Sequence, residues 1–554
     1  MCLGAAVLAL ALRHFRIVCG DDRTRWLRVD GLADRDHLGY NSSLRMATFH
    51  ILNFGCRASQ ADGAALKQQL LAAGLTEAGT ADESHIAILN TCTVTATADA
   101  EVRQFVRRIH RRNPQCRILV TGCYAQRAPE EIARLEGVAW VVGNSHKHLV
   151  GELLAPERAA ASRDRAIGRS DEQQKNDHPA ITFHKQAPSP LVQIQEPRNS
   201  DEWRGTRDGQ AVRAPDHPIL PAPVQVLVGE ISEEFHFAPV FPDDRTRPTL
   251  KIQDGCNARC AFCVIPSVRG PSRSLEPEKV LTEVRQLEEA GYQEVVLSGI
   301  NLGGYGRDLG RRINFLGMVE RILRESSMAR IRISSIEPMD VSAKLIRLVA
   351  GESRLAQHFH VPLQSGCDRI LRSMNRRYWA GHYAERILAI REQIPNCGIG
   401  ADVMVGFPGE TDQDHAASLR FIESLPYTYL HIFPYSARPG TRAAASAAQV
   451  NGRAARERGQ EIRALMVAKR EAFLAAQVGR SLPALTLDET DEGARVALST
   501  NYLKVALPSS EAPANRLVNV SVGRAATGKL FGYVTDGDAA RARRCPARIP
   551  ERYS

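Results

Sequence analysis

Two stretches of the sequence alternate strand-like and helix-like patterns, and they restrict the fold to classes built on parallel sheets. In the first stretch, apolar runs at 48–54, 85–90, 117–122 and 138–143 are separated by helix-like segments. Strands that alternate with helices pair in parallel, so residues 47–154 predict a small parallel α/β domain.

The second stretch runs from Thr249 to Ser436 and repeats the alternation six times. Its strand-like runs are "TLKIQ", "EVVLSG", "RIRISS", "HFHVPL", "GIGADVMVG" and "YLHIFPYS". Six strand–helix repeats predict a partial (β/α)6 barrel. In such a barrel the functional groups gather at the C-terminal ends of the strands.

The segment "DGCNARCAFCVIP" follows the first of these strands and contains Cys256, Cys260 and Cys263. A [4Fe–4S] cluster is normally held by four thiolates, so three leave one iron open. S-adenosylmethionine (SAM) can occupy that iron through its amino and carboxylate groups, and an electron from the cluster then cleaves it to a 5′-deoxyadenosyl radical. A zinc site with an outside ligand and a structural cluster are the alternatives, and the spacing after a barrel strand favours the radical chemistry.

A second set of cysteines is scattered along the first domain. Cys56, Cys92 and Cys123 each fall one or two residues after a predicted strand. Because parallel strands end at one shared edge, we expect the three side chains to converge there. Isolated cysteines in such a domain are often core residues. Beside the first trio, however, a second [4Fe–4S] cluster with an open iron is the better interpretation.

Other strand ends of the barrel carry candidate SAM-binding residues. The glycine-rich "LSGINLGGYG" suits close approach of the backbone to a ligand. Polar residues that end three further strands, Glu337, Gln364 and Asp402, could contact SAM or the target base, and Phe262 precedes the third cysteine of the loop. Each of these residues has a structural role as its alternative, in the core or in hydrogen bonding. The candidates are Phe262, Gly299, Asn301, Glu337, Gln364 and Asp402.

Composition indicates a soluble, multidomain protein. The chain has 554 residues, a formal net charge of +10 and a pI near 9.1, a balance that favours a polyanionic partner such as nucleic acid. Its 12 cysteines do not form a disulfide framework, so we expect a cytoplasmic protein. No segment resembles a membrane span, and we expect a monomer without a membrane partner.

The remaining segments complete a division into domains. Short strands with turn signals near the end of the chain predict a small antiparallel β-barrel. The expected order is an extension without ordered structure (1–45), the α/β domain (46–154), a largely disordered linker (155–245), the partial barrel (246–450), a basic connector helix (451–477), the β-barrel (478–540) and a tail (541–554).

Taken together, these motifs resemble the radical-SAM methylthiotransferases. The resemblance covers Ala47–Leu154 and Thr249–Val534, with "NFGCRASQAD", "NTCTVT" and "VTGCYAQ" matching the auxiliary-cluster cysteines. It implies that Cys56, Cys92 and Cys123 hold the cluster that carries the sulfur. It also implies that Cys256, Cys260 and Cys263 hold the radical cluster, and that the C-terminal barrel is a TRAM-like RNA-binding domain.

The resemblance further implies a substrate. "RISSIEP", "HVPLQSGCDRILRSMNRRY" and "HIFPYSARPGTRAA" look most like the branch that adds a methylthio group to C2 of N6-threonylcarbamoyladenosine at position 37, in the anticodon arm of tRNA. The alternatives are N6-isopentenyladenosine in tRNA, an aspartate of a ribosomal protein, or a non-enzymatic RNA-binding iron–sulfur sensor. The sequence does not identify the sulfur source or the reductant.

Overall fold

A computed structural model of the chain describes residues 47–155, 224–231, 246–310, 313–508 and 513–535. The predicted extension at 1–45, the tail at 541–554 and most of the predicted linker lie outside these residues.

The first domain is a parallel sheet with helices on its faces. Its strands hydrogen-bond in the order β2-β1-β3-β4-β5-β6, all parallel. They are β1 (Thr48–Asn53), β2 (Thr76–Glu77), β3 (Ile86–Thr91), β4 (Arg117–Gly122), β5 (Val138–Val142) and β6 (Gln225–Leu227). The helices are α1 (Arg57–Ala72), α2 (Ala96–Arg112), α3 (Cys123–Arg127), α4 (Pro129–Ala133) and α5 (Val150–Leu154).

Local sequence explains these elements. All six residues of β3 are buried, as expected for a central strand covered on both faces. Helix α2 buries Val102, Val106 and Ile109, which recur at helical spacing and form one apolar stripe. The four long strands were predicted; β2 and β6 were not. Strand β6 lies inside the predicted linker and adds a sixth strand to the sheet beside β5.

The second domain is an open barrel of six parallel strands, as predicted. Pairing joins β7 to β9, β9 to β10, β11 to β12 and β12 to β13, and isolated bridges connect the β10 and β11 segments. The strands are β7 (Thr249–Asp254), β8 (Arg273–Ser274), β9 (Glu294–Gly299), β10 (Arg330–Ile333), β11 (His358–His360), β12 (Gly398–Val405) and β13 (Tyr429–Pro434). Strand β8 is a short antiparallel addition beside β7.

Helices cover the outside of this barrel. They are α6 (Ile265–Arg269), α7 (Pro277–Glu289), α8 (Phe315–Glu325), α9 (Ala343–Gly351), α10 (Asp368–Ser373), α11 (Ala380–Gln393) and α12 (Asp412–Ser424). The largest apolar core lies between the helices and the strands, and it includes Leu297, Ile331, Phe359 and Ile399. Alternate strand residues point to the other face.

The inner face of the barrel is polar. Arg332 on β10 pairs with Glu294 on β9 at 2.8 Å. The hydroxyl of Tyr429 on β13 lies 2.8 Å from His358 Nε2 and 3.0 Å from His360 Nδ1, both on β11. These polar contacts join side chains of different strands on the face opposite the apolar core.

The third domain is a closed five-stranded barrel that follows a long helix, α13 (Gly452–Ala475). Its strands are β14 (Ser481–Asp491), β15 (Ala494–Ser499), β16 (Lys504–Leu507), β17 (Leu517–Ala526) and β18 (Lys529–Val534). They close in the order β14-β15-β16-β18-β17. The pairing is antiparallel as predicted, except between β16 and β18, which run parallel.

This barrel closes the N-terminal end of the six-stranded barrel. Arg332 donates to the carbonyl oxygens of Ser499 and Thr500 at 3.1 Å each. Tyr502 lies in the same loop, and its ring packs 4.4 Å from the ring of His358. The opposite, C-terminal end therefore remains for the functional groups.

Candidate active site

The loop that follows β7 carries Cys256, Cys260 and Cys263. It begins at Gly255, which has a φ of 69° and no space for a side chain, because a Cβ would collide with the carbonyl of Pro271. Backbone hydrogen bonds hold the loop in place: Cys256 N donates to Gly270 O at 3.0 Å, and Ala261 N donates to Met374 O at 2.9 Å. The three thiols are therefore presented by a fixed backbone at the C-terminal end of the barrel.

The environment of these thiols disfavours free thiolates. Burial raises the pKa of Cys263 to about 12 and also raises the pKa of Cys256. Arg376 partly offsets this, because its Nη1 donates to Cys260 Sγ at 3.3 Å. Thiolates at these positions need a bound cation to be stable, as in a metal or cluster site.

The second trio meets at the C-terminal edge of the first sheet. Cys56 caps α1 after β1, Cys92 directly follows β3, and Cys123 directly follows β4. The register pairs Thr91 with Gly122, so Cys92 and Cys123 leave adjacent strands side by side. Burial and the neighbouring Cys56 and Cys123 thiolates raise the pKa of Cys92 to about 12.

Arg269 on α6 connects the two cysteine trios. Its Nε donates to Cys123 Sγ at 3.2 Å, its Nη1 lies 3.0 Å from Asp254 Oδ2, and its Nη2 lies 2.9 Å from Asp62 Oδ2. Asp254 stands two residues before Cys256, and Asp62 lies on α1 behind Cys56. A single buried guanidinium thus contacts groups from both cysteine-bearing domains.

Two lysines complete this buried charge cluster. Lys251 pairs with Asp62 and, at 2.7 Å, with Asp254; Lys147 lies 3.0 Å from Asp62. Burial alone would raise the pKa of both carboxyls, but the surrounding cations hold each pKa below its ordinary value. Sequence reasoning missed these residues, and the signal for them was charge within an otherwise apolar strand, at Lys251 and Asp254 in "TLKIQD".

The donor sets fit a cluster better than a single ion. A tetrahedral zinc site places its sulfurs about 3.8 Å apart, given Zn–S bonds of about 2.3 Å. Among the described residues, the one set of three His, Cys, Asp or Glu ligand atoms lying mutually within 4.8 Å is His360, Asp402 and His431. Neither cysteine trio is that compact, and three soft thiolates on separate irons suit a [4Fe–4S] cluster with one open position.

A cavity of about 390 Å³ lies beside both trios. One side is formed by Val94 and Thr95, which follow Cys92, and another by Cys263 and Val264 of the first loop. Three predicted SAM-binding residues also line it, namely Phe262, Gln364 and Asp402. The volume is within the range of small-molecule sites, and the cavity is reached from both cysteine loops.

Those three residues differ in how their side chains are engaged. Phe262 packs edge-on against Phe407, with ring centroids 6.5 Å apart. Gln364 has a φ of 65°, and within the described residues its buried Oε1 has no hydrogen-bond partner. Asp402 accepts from His360 Nε2 and His431 Nδ1, both at 3.1 Å. An unpaired buried oxygen is a place where a ligand N–H fits.

The other three candidates lie at strand ends but do not line this cavity. A Cβ on Gly299 would lie 2.9 Å from Gln253 Oε1, which also accepts from Asn301 N at 2.7 Å. In the described parts of the chain, the buried Oδ1 of Asn301 is unpaired. Glu337 pairs with Arg376, the donor to Cys260 Sγ, and burial raises the Glu337 pKa.

An open six-stranded parallel barrel with a three-cysteine loop after its first strand defines a radical-SAM enzyme. Comparison with family models agrees: residues 250–422 match the radical SAM superfamily, and residues 48–143 match an uncharacterized protein family, UPF0004. Within the described ranges, none of the helices combines the length and apolar character needed to cross a bilayer.

Curated relatives define the family more closely. A threonylcarbamoyladenosine tRNA methylthiotransferase MtaB of Bacillus subtilis (strain 168) is 32% identical over 87% of this chain and 94% of its own length. The Aquifex aeolicus (strain VF5) protein of the same name is 33% identical over 81% and 94%. A tRNA-2-methylthio-N(6)-dimethylallyladenosine synthase of Pelotomaculum thermopropionicum is 30% identical over 88% and 98%.

The chain therefore belongs to the radical-SAM tRNA methylthiotransferase family. As a member it is an enzyme, and its cofactors are SAM and [4Fe–4S] clusters.

Proposed function

We propose that this enzyme adds a methylthio group to C2 of N6-threonylcarbamoyladenosine at position 37 of tRNA. Two of the three relatives described above carry that substrate in their names, and the third carries the dimethylallyl base. We further propose that it recognises the anticodon arm and acts as a monomer in the cytoplasm.

In this proposal the two cysteine trios hold separate [4Fe–4S] clusters. Cys256, Cys260 and Cys263 bind the cluster that holds SAM, and Cys56, Cys92 and Cys123 bind the cluster that carries the methylated sulfur. When bound, these groups supply a 5′-deoxyadenosyl radical and a sulfur donor, which is chemistry that the protein side chains cannot provide. A radical is required because the aromatic C2–H bond has no acidic proton for a base to remove.

The side chains of the enzyme orient and tune this site. Arg376 donates to Cys260 Sγ and Arg269 donates to Cys123 Sγ, so one cation supports each trio. Hydrogen bonds to cluster sulfurs are among the features that set a cluster's reduction potential. Asn301 and Gln364 offer buried oxygens to the amino groups of SAM. Glu337 forms an ion pair with Arg376 and so fixes the position of its guanidinium.

The cavity is the observation that carries the proposal. It contacts Cys263 of one trio and the segment just after Cys92 of the other, so a nucleobase within it would lie between both clusters. Apolar walls from Val94, Phe262 and Met404 suit the flat faces of a purine.

The third domain supports an RNA substrate. Tyr533 on β18 is 52% exposed, and on the same strand Phe531 is covered by Arg524, whose guanidinium carbon lies 4.2 Å from the ring centroid. Exposed aromatic and arginine side chains on small barrels stack on bases of single-stranded RNA. Arg453, at the start of α13, pairs with Glu457 at 2.8 Å, but its side chain is 82% exposed and can also face phosphates.

Mass spectrometry of nucleosides tests the substrate directly. In tRNA from cells that lack this protein, we expect methylthiolated threonylcarbamoyladenosine to disappear and its precursor to accumulate. Loss of the methylthiolated isopentenyl base instead would assign the enzyme to the other tRNA branch. An unmodified ribosomal-protein aspartate together with normal tRNA would reject tRNA as substrate.

A second assay separates an enzyme from a sensor. Protein reconstituted with iron and sulfide under anaerobic conditions should release 5′-deoxyadenosine from SAM when a reductant is added. A sensor would bind RNA and clusters without releasing it.

A further inference from the structure

One wall of the cavity is formed by β13 and the segment that follows it, and it carries three polar side chains. These are His431, Ser436 and Arg438, with the apolar Phe433 and Pro434 between them, while Phe262 and Met404 are among the apolar residues of the remainder. The purine ring of the proposed substrate fits the apolar part of the cavity. The polar side chains of this wall therefore face the substituent on N6 of the base.

His431 is held in one orientation by a chain of hydrogen bonds. Its Nδ1 lies 3.1 Å from Asp402 Oδ1, which also accepts from His360 Nε2 at 3.1 Å. His360 is fixed in turn through its Nδ1, 3.0 Å from the hydroxyl of Tyr429. A carboxylate only accepts hydrogen bonds, so the His431 proton lies on Nδ1 and Nε2 is left for a ligand. The side chain is 64% exposed, so Nε2 is accessible.

The same wall includes a guanidinium with a shared counter-ion. Arg438 Nη1 lies 2.6 Å from Asp99 Oδ2, and Arg127 Nη2 lies 2.9 Å from the same oxygen. Two cations thus share one carboxylate, leaving one positive charge in excess. Arg438 Nη2 also donates to Ser436 Oγ at 3.2 Å, which orients that hydroxyl at the wall. The other charged group that lines the cavity is Asp402, whose carboxylate accepts from His360 and His431 and offsets this charge in the cavity as a whole.

We propose that His431, supported by Ser436 and Arg438, binds the polar end of the N6 substituent and thereby selects a threonylcarbamoyl group over an isopentenyl group. This inference rests on the proposed function. The threonylcarbamoyl group carries a hydroxyl and a carboxylate, which match the free imidazole nitrogen of His431 and the donors of Ser436 and Arg438. An isopentenyl group offers none of these partners and would leave the polar wall unpaired, at a cost in binding.

Binding of anticodon stem-loops to the full-length, cluster-loaded protein tests this assignment. Three stem-loops are compared, with threonylcarbamoyladenosine, isopentenyladenosine or adenosine at position 37. For His431→Phe we expect the affinity for the threonylcarbamoyl stem-loop to fall by about 5- to 10-fold, because Nε2 accepts one neutral hydrogen bond from the substrate hydroxyl. Affinity for the other two stem-loops should change by less than about threefold.

Two further variants act as controls. His431→Gln keeps a hydrogen-bonding group and should retain part of the preference. His382→Phe makes the same change on α11, where the ring contacts Arg386 away from the cavity, and should bind all three stem-loops like the wild type. Iron content of each variant verifies that both clusters are loaded.

The outcomes separate the inference from the proposed function. Equal losses for all three stem-loops in His431→Phe, or no loss, would overturn the role of His431 while leaving the substrate intact. A wild type that prefers the isopentenyl stem-loop would overturn both. A non-iron metal retained by the wild type and lost in His431→Phe would reassign His360, Asp402 and His431 to a metal site.

Discussion

The two cysteine trios are similar in chemistry, but the fold brings the three thiols together in a different way in each. Cys256, Cys260 and Cys263 lie on one loop, so local spacing alone brings them together. Cys56, Cys92 and Cys123 are spread over three strand ends and meet because parallel strands finish at one edge. The first site therefore depends on one backbone segment, whereas the second depends on the whole sheet. Changes that affect one trio and not the other test this difference.

The largest expected effects come from the cysteines themselves. Cys260→Ala should abolish release of 5′-deoxyadenosine, whereas Cys92→Ala should preserve that release and stop methylthiolation. Each variant should retain about four of about eight irons per chain, since a cubane contains four. Product analysis, iron assays and SAM cleavage measure the three properties. If Cys92→Ala still formed methylthiolated tRNA, the assignment of two roles would be wrong.

Arg269 offers a sharper test, because it contacts both Cys123 of the second trio and Asp254 beside the first. Arg269→Met removes a buried cation from Asp62 and Asp254, so we expect the free energy of unfolding to fall by about 3–5 kcal/mol. Loss of its contact with Cys123 should also reduce iron bound by the second trio. Urea unfolding and iron content report the two effects.

Matched variants show whether the loss of stability and of iron in Arg269→Met comes from the missing charge or from the missing contact with Cys123. Arg269→Lys keeps the charge and should recover most of the stability. Arg376→Met removes the donor to Cys260 instead, so it should impair SAM cleavage and leave the second trio loaded. Full iron content in Arg269→Met would show that the second trio does not depend on the link.

Sequence alone was sufficient for the elements whose cause is local. The periodic apolar runs predicted the long strands of both sheets, because a buried parallel strand needs a continuous apolar segment. Arg269 was not predictable in this way, since it and Cys123 are 146 positions apart. The role of His431 was missed for the same reason: its partners, Asp402 and His360, lie on other strands. Strand β6 lies in the short apolar run "VQVLV", and it was missed because its partner β5 ends more than 80 residues earlier.

The turn glycines that precede the trios provide a smaller effect. Gly55 has a φ of 101°, and a Cβ there would lie 2.8 Å from Cys92 Sγ, whereas Gly74 has a φ of 84° and open space around it. Gly74→Ala should cost about 1–2 kcal/mol of backbone strain, and Gly55→Ala about 2 kcal/mol more from the collision. Gly55→Ala should lower the iron of the second trio, and Gly255→Ala that of the first. Equal iron content in the Gly55→Ala and Gly74→Ala variants would contradict the prediction that a Cβ at position 55 displaces Cys92.

The smallest effect comes from a region that belongs to neither trio. Burial alone would raise the pKa of Glu294, but Arg332, Arg247 and Arg330 lower it to about 2. A depressed carboxyl pKa stabilises the fold above the unfolded-state value of 4.5, and this contribution is lost as the pH falls toward 2. At pH 3.5 the loss is about 1.4 kcal/mol relative to neutral pH. The difference in unfolding free energy between wild type and Glu294→Gln, measured on cluster-free protein, should therefore shrink by that amount.

Glu294 also completes the comparison between the trios. It is the first residue of β9, at the end of the barrel opposite the cysteine loops, and its partner Arg332 contacts the third domain. Glu294→Gln should therefore reduce stability at neutral pH without changing iron content or SAM cleavage. A loss of iron from either trio in this variant would mean that loading depends on general stability. The contrast between a site built from one loop and a site built from three strands would then lose its physical basis.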